Sequence, residues 1–266
     1  MILSNRAKIG IAVVLIFAAL GIAVLAFKEQ VGKFAWEIFR LDRAAAFLNS
    51  NDAAMHFKMG NFYFNGGAYD LERAKKYFAK TISLDERLPG AHYQLGRIYF
   101  LEGKFFSALE EMNKEIELYP EFEKSYYMSG LIAGYQGNFN LAVRSFEKFL
   151  TFKPESWAGW NDLAWVYFKK GDYEKVKEAA ENGIAAAGEN VWLNTSLGVA
   201  LLNLEEAEMA ITVLNQAKIM AENMTPEEWG MAYPGNNPKN YEDGLRQMLE
   251  AIEFNLNLAM NSVDNF

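Results

Sequence analysis

Apolar residues recur at helical spacing along most of this chain. Between about residues 52 and 222 they fall at positions i, i+3, i+4 and i+7 on both sides of short turns, as in amphipathic helices. One pair carries these residues on its two stripes: Leu95, Ile98 and Tyr99 on the first, and Ala108, Leu109, Met112 and Ile116 on the second. The pattern predicts an all-helical chain built from helix-turn-helix pairs.

The pairs repeat with a period of 34 residues. Three columns mark the period: Gly96, Gly130, Ala164 and Gly198; the turn glycines Gly103, Gly137 and Gly171; and Ala108, Ala142, Val176 and Ala210. A bulky side chain would hold two helices apart, so the first column predicts close helix crossings. A glycine just after a helix permits a left-handed turn, so the second column predicts helix ends.

These residues resemble the tetratricopeptide repeat family. The second repeat shows the resemblance in full, with His92, Leu95, Gly96, Tyr99, Gly103, Ala108 and Pro120. The third and fourth follow it, the first has two extra residues near Gly66 and Gly67, and the fifth has Glu205 where the turn glycine belongs. The resemblance implies an all-α, right-handed superhelical solenoid of about five repeats over residues 52–222.

Two flanking regions complete the predicted solenoid. Residues 28–51, with Phe34, Phe39, Leu41 and Phe47, predict a linker helix that covers the first repeat. Residues 223–240 contain three prolines and predict a loop, within which a short helix starts at Thr225 and Pro226. Residues 241–266 predict a C-terminal capping helix with Leu245, Met248, Leu249, Ile252 and Leu256 on one face.

The N-terminus predicts a membrane anchor. Residues 9–27 are uncharged and mostly apolar and lie between Lys8 and Lys28, and about 28 Å of helix would match the hydrocarbon thickness of a bilayer. A cleavable signal peptide, ending before Phe27, is the alternative. The short basic tail, residues 1–8, favours a cytoplasmic N-terminus. The expectation is a single-pass protein of a bacterial inner membrane with an extracytoplasmic repeat domain.

Composition excludes several kinds of chemistry. Twenty-six Lys and Arg against 34 Asp and Glu give a net charge of −8, which disfavours nucleic acid as a partner. Zero cysteines exclude disulfides and thiolate zinc sites. The two histidines, His56 and His92, stand at an aromatic position of the repeat, so they are interpreted as packing residues. The sequence predicts no enzyme activity, catalytic residue, cofactor or metal.

The resemblance implies a binding groove lined by the first helix of each repeat. The predicted groove residues are Phe57, Asn61, Phe64, Tyr93, Arg97, Phe100, Tyr127, Leu131, Tyr135, Asn161, Trp165 and Phe168, continued by Thr195 and Leu202. Trp165 is expected at its centre, and its replacement by alanine is expected to weaken binding while the melting temperature stays nearly unchanged. An aromatic groove suits an apolar or extended peptide.

Three functions remain open at this point. The first is a membrane-tethered adaptor or scaffold that binds a protein or peptide in bacterial envelope assembly, secretion or chaperone-like holding. The second is a self-assembling structural subunit of an envelope or pilus machine, and the third is a cytosol-facing receptor for targeting peptides. An acidic C-terminal peptide is disfavoured, because Phe57 and Met128 occupy positions where the family's carboxylate clamp has cations.

Overall fold

The computed structural model describes residues 27–65, 69–232 and 240–264, and all regular secondary structure in these ranges is helical. The helices are α1 Lys28–Phe39, α2 Asp42–Leu48, α3 Ala53–Asn65, α4 Leu71–Leu84, α5 Ala91–Leu101, α6 Phe105–Leu118, α7 Glu123–Tyr135, α8 Phe139–Phe152, α9 Trp157–Lys170, α10 Tyr173–Ala187, α11 Val191–Asn203, α12 Ala207–Glu222, α13 Pro226–Ala232 and α14 Tyr241–Asp264. The predicted all-helical class is confirmed for the described residues.

Helices α3 to α12 form the predicted series of helix-turn-helix repeats. The turn glycines Gly103, Gly137 and Gly171 have φ angles of 71°, 76° and 73°, the left-handed conformation that favours glycine. In the fifth repeat Glu205 takes the same conformation, with φ 62°. The turn is therefore retained where its glycine is missing, at the expense of backbone strain.

The small-residue column places a helix backbone against a large side chain of the same repeat. A Cβ atom on Gly130 would lie 2.9 Å from ring atoms of Phe146, and one on Gly60 would lie 2.6 Å from the ring of Phe78. At Gly198 the neighbouring side chain is Leu214, 2.5 Å from such an atom. These separations are shorter than van der Waals contact, so the column marks close crossings, as predicted.

The chain divides into two compact units, residues 1–98 and 99–266, with the boundary inside α5. In the first unit, Phe78, Met59 and Trp36 are buried almost completely. Trp36 packs edge-on to Phe62 of α3, with ring centroids 5.1 Å apart. This contact attaches α1 to the first repeat.

The segment 28–51 differs from the single covering helix predicted for it. Helix α1 ends at Phe39, and Arg40, which follows it with a φ of 52°, separates it from α2. The four apolar residues expected to cover the first repeat are more than half exposed: Phe34, Phe39, Leu41 and Phe47. The segment packs instead through Trp36, Ala35 and Ala45.

In the second unit the repeats share a core and end against α14. Phe146, Ile132 and Leu214 are fully buried there. Helix α14 packs on α12 and α13 and touches α11. It buries the side chains Leu245, Ile252, Leu256 and Ala259. The last helix thus covers the apolar face of the final repeat.

The short helix α13 begins where the sequence predicts it. Glu228 donates its backbone N–H to Oγ1 of Thr225 at 3.2 Å, and Thr225 donates its backbone N–H to a Glu228 carboxylate oxygen at 2.8 Å. This reciprocal pair is a capping box. Its hydrogen bonds lower the pKa of Glu228.

The predicted membrane span, residues 9–27, lies outside the described residues except for Phe27. Within the part of the chain that the structure describes, no helix combines the length and apolar character needed to cross a bilayer.

Candidate partner-binding site

Five of the predicted groove residues lie in the first unit, on α3 and α5. Phe57, Asn61 and Tyr93 are half-buried there, and Phe64 is buried. The fifth, Arg97, lies with its guanidinium carbon 4.4 Å from the centroid of the Phe64 ring and 5.6 Å from that of Tyr93. This geometry is typical of cation–π contact.

Hydrogen bonds among amides fix Arg97 in this position. Its Nη1 donates to Oε1 of Gln94 at 2.9 Å and to Oδ1 of Asn65 at 3.3 Å, while Nε2 of Gln94 donates to Oδ1 of Asn61 at 2.6 Å. Burial lowers the pKa of Arg97. Among the described residues no carboxylate lies within ion-pair distance of it. The predicted groove residues of the first unit therefore include a positively charged guanidinium, that of Arg97, which is fixed by hydrogen bonds between the rings of Phe64 and Tyr93.

Seven of the predicted groove residues lie in the second unit, and two of these are occupied with packing. Tyr127 donates its hydroxyl hydrogen to Oδ2 of Asp162 at 2.5 Å, and its ring packs on Phe146 and Phe149. Leu131 packs against the same buried core. Tyr127 and Leu131 thus join neighbouring repeats and contribute only part of their surface to any groove.

An aromatic series connects α5, α7 and α9. The Phe100 and Tyr135 rings lie 5.5 Å apart, and the Tyr135 and Trp165 rings lie 5.4 Å apart, measured between centroids. The indole of Trp165 covers Gly134 of α7 so closely that a Cβ atom there would overlap it. Trp165 therefore packs with one side on the neighbouring repeat, and its other side remains available to line a cleft.

That cleft is the main candidate site, and we call it the α9–α11 cleft. It has a volume of about 380 Å³ and is mostly apolar. It is lined by Asn161, Ala164, Trp165, Phe168, Val176, Trp192, Thr195, Ser196, Val199, Met248 and Asn255. Four of the predicted positions, Asn161, Trp165, Phe168 and Thr195, meet there.

The polar groups of the cleft are neutral. Ser196 donates its hydroxyl hydrogen to Oδ1 of Asn161 at 2.9 Å, and Thr195 donates to the backbone oxygen of Val191 at 2.6 Å. Asn255 donates an amide hydrogen to the backbone oxygen of Ala251 at 2.8 Å. An apolar cavity with a few neutral hydrogen-bonding groups at its wall is typical of sites for uncharged ligands.

Seven of the eleven residues that line the cleft were not predicted as groove residues, and three of the seven are Trp192, Met248 and Asn255. Trp192 stacks on Trp157 with ring centroids 4.7 Å apart, and it stands two residues before the aromatic position of its repeat. Met248 and Asn255 come from α14, outside the repeats. Their spacing of seven residues puts them on one side of that helix, which is the signal that could have paired them.

The remaining predicted groove position, Leu202, packs with the core near Leu214 and Leu256 and does not line the cleft. The histidines pack as interpreted: His56 and His92 are almost fully buried, and His56 stacks on Tyr77 at 5.9 Å. No group of three or more possible metal ligands occurs among the described residues.

Comparison with known proteins agrees with this architecture. The family model "Tetratricopeptide repeat" matches residues 127–175. A curated relative, the tetratricopeptide repeat-containing protein trd-1 of Caenorhabditis elegans, is 27% identical over 150 residues, which are 55% of this chain and 18% of that protein. The chain thus spans about a fifth of that relative's length.

Solved structures share the fold. The structure of YrrB, described as a TPR protein with an unusual peptide-binding site, has a TM-score of 0.57 and 18% identity, and the match covers 67% of this chain and 91% of that one. PilW, described as a widely conserved type IV pilus biogenesis factor, has a TM-score of 0.59 and 13% identity, with coverage of 76% and 95%. The chain is an all-helical repeat solenoid, and residues 127–175 are similar to the tetratricopeptide repeat family.

Proposed function

We propose that this chain is a membrane-tethered, non-enzymatic adaptor that holds a protein partner by inserting one of the partner's apolar side chains into the α9–α11 cleft. The observation that carries the proposal is the convergence of Asn161, Trp165, Phe168 and Thr195 on one cavity. They belong to two consecutive repeats and occupy positions that the resemblance to the tetratricopeptide repeat family implies for binding.

The lining of the cleft defines the chemistry of the partner. Trp165, Trp192 and Met248 supply apolar surface, whereas Asn161 and Asn255 supply amides that can pair with a peptide backbone. No charged side chain lines the cleft. An extended segment with a Leu, Met or aromatic anchor fits this surface better than an acidic peptide does.

The tether is supported by the sequence. Residues 9–27 have the length and composition of a single membrane span, and Lys8 and Lys28 stand at its ends. With the basic tail in the cytoplasm, the repeats face the other side of a bacterial inner membrane. This placement suits a role in envelope assembly, secretion or holding of a client chain.

The similarity to YrrB and PilW supports the fold, since identities of 18% and 13% are too low to carry a partner from one protein to another. A self-assembling role is distinguishable from the adaptor role by the mass of the purified chain. Light scattering of the full chain in detergent should give a mass that does not rise with concentration if the adaptor proposal is right.

The direct test fills the cleft without removing any packed aromatic residue. Thr195→Phe adds a ring to the wall of the cleft. Thr212→Phe is a matched control, because Thr212 is exposed on α12 and its hydroxyl donates to the backbone four residues earlier, as that of Thr195 does. Both variants should keep the helical circular dichroism of the parent protein.

The readout is the set of proteins crosslinked to the chain in native membranes, identified by mass spectrometry and confirmed with purified partner. Thr195→Phe should weaken capture of one specific partner by about 2 kcal/mol or more, roughly thirty-fold, while Thr212→Phe should capture it normally. Equal capture by both variants would refute the assignment of the cleft.

A further inference from the structure

The first helices after the predicted anchor expose an unusual amount of apolar surface. Seven of the eighteen large apolar residues that are exposed in the described part of the chain lie within residues 27–47. They are Phe27, Val31, Phe34, Ile38, Phe39, Leu41 and Phe47. Exposed apolar side chains that occur singly are normal, but a contiguous group marks an interaction surface.

Three of these residues share one side of α1, and Phe27, at the N-cap position of the helix, continues their spacing. Phe27, Val31, Phe34 and Ile38 follow each other at intervals of four, three and four residues, which places them in a single stripe along a helix. We call them the α1 stripe. Phe34 is 56% exposed and Ile38 is 61% exposed. The stripe therefore has no partner among the described residues that covers it.

The orientation of the stripe is fixed by the opposite side of α1. Gly32, Ala35 and Trp36 are buried, and a Cβ atom on Gly32 would overlap the side chain of Asn49. Trp36 is 1% exposed and packs on Phe62 and Tyr63. Because the helix cannot rotate without breaking these contacts, the stripe faces away from the first repeat.

Ion pairs with the first repeat neutralise two of the three acidic residues of α1 and α2. Lys58 lies 2.8 Å from the Glu37 carboxylate, and Arg73 lies 3.9 Å from that of Asp42. Only Glu29 has no such ion pair among the described residues.

Three basic residues of the same segment form no ion pair within the described ranges. Lys28, Arg40 and Arg43 are exposed and have no carboxylate within ion-pair distance in the ranges that the structure describes. Arg40 lies over the Trp36 ring at 5.2 Å. Lys28 directly follows Phe27, the first residue of the stripe. Apolar side chains with an adjacent cation are typical of helices that lie in a membrane interface with anionic lipids.

We infer that the α1 stripe lies in the headgroup region of a bilayer containing anionic lipids, so that α1 is an interfacial helix and the first repeat is held against the membrane. The inference rests on the proposed membrane anchor, because the apolar segment 9–27 ends at the first residue of the stripe. It goes beyond that anchor, since a span alone would leave α1 in water and the repeats free to move away from the surface.

The chain lacks cysteine, which allows a label at a single chosen site. In the full-length protein, Phe34→Cys and Ile38→Cys each carry an environment-sensitive fluorophore on the stripe. Phe106→Cys is the control, because Phe106 is an 85% exposed phenylalanine on another helix, α6. Each protein is reconstituted into vesicles of phosphatidylethanolamine and phosphatidylglycerol.

Quenching then locates each label. Lipids with a nitroxide at a shallow acyl position should quench the labels at residues 34 and 38 several-fold more than the label at residue 106, because interfacial helices lie about 5–10 Å into the headgroup and acyl boundary. Aqueous iodide should show the reverse order. Vesicles of phosphatidylcholine alone should give weaker quenching at residues 34 and 38, since Lys28 loses its anionic partners.

The failure of the anchor and the failure of this inference give different results. Washing the vesicles with carbonate tests the anchor, because a chain without a membrane span is washed off. If the chain is washed off, nitroxide quenching at residues 34 and 38 before the wash would still support the interfacial helix. A chain that stays after the wash but whose stripe labels are quenched by iodide, as the control label is, overturns the inference. Stripe labels shielded from both quenchers also overturn it and indicate a protein cover, such as a second copy.

Discussion

The close crossing of α7 and α8 gives the sharpest test of the packing. Gly130 faces the ring of Phe146, and a Cβ atom there would lie 2.9 Å from three of its ring atoms. Carbon atoms pack best at about 3.5–4.0 Å, so the ring has to move by several tenths of an ångström. Phe146 is fully buried, and overpacking of this kind costs about 1–3 kcal/mol.

Gly130→Ala also has a stabilising effect, which must be subtracted from the cost of overpacking. Alanine inside a helix is about 0.5–1 kcal/mol more favourable than glycine, so the net loss should be about 0–2.5 kcal/mol, with a midpoint of about 1 kcal/mol. Gly137→Ala should lower the free energy of unfolding by a similar amount, but for another reason. Overpacking does not contribute, because no atom lies within 4 Å of the added methyl group, whereas φ is 76° there. A left-handed non-glycine residue costs about 1–2 kcal/mol.

The two causes separate in a Phe146→Ala background. Removing the ring creates space, so Gly130→Ala should then stabilise the protein by about 0.5–1 kcal/mol, whereas Gly137→Ala should cost the same as before. The fourth repeat supports this expectation: at the two equivalent positions it has Ala164 and Ala180, both fully buried. Urea unfolding followed by circular dichroism measures the free energy of unfolding of each single and double variant. An equal effect of Gly130→Ala in both backgrounds would mean that ring contact does not set its cost.

Two further predictions concern single residues. Glu205→Gly should stabilise the protein by about 0.5–1 kcal/mol in urea unfolding, because it relieves the left-handed strain at φ 62°; no gain would show that the turn is not strained. Burial lowers the pKa of His56, so the unfolded chain binds more protons, and stability should fall as the pH drops below the ordinary histidine value of about 6.5. His56→Phe should flatten that part of the pH profile, and an unchanged slope would assign it to other groups.

The repeats can be predicted from the sequence because each repeat contains the residues that determine how its two helices pack. A period of 34 residues with small residues at fixed positions leaves little freedom, and Gly130 and Gly198 meet large side chains as the period requires. The break after α1 has no such signal, since neither glycine nor proline marks it. Arg40 adopts φ 52° there while its guanidinium lies over Trp36 and Phe62, and that contact depends on tertiary structure.

The candidate cleft could be predicted only in part for a similar reason. The repeat pattern brings Asn161, Trp165 and Thr195 to one face because it fixes the phase of α9 and α11. It says nothing about a helix outside the repeats. Met248 and Asn255 reach the cleft through the packing of α14 on α12 and α11, which the amphipathic pattern of α14 permits but does not specify.

The position of Trp165 decides how the site has to be tested. Its indole covers Gly134 and lies 5.4 Å from the Tyr135 ring on one side, and it lines the cleft on the other. Truncation to alanine removes both surfaces, so Trp165→Ala should lower stability as well as partner capture, contrary to the nearly unchanged melting temperature expected from sequence. A loss of capture by that variant would therefore leave binding and packing unseparated. Thr195→Phe avoids this problem, because it occupies the cleft while the contacts of Trp165 with Gly134 and Tyr135 stay in place.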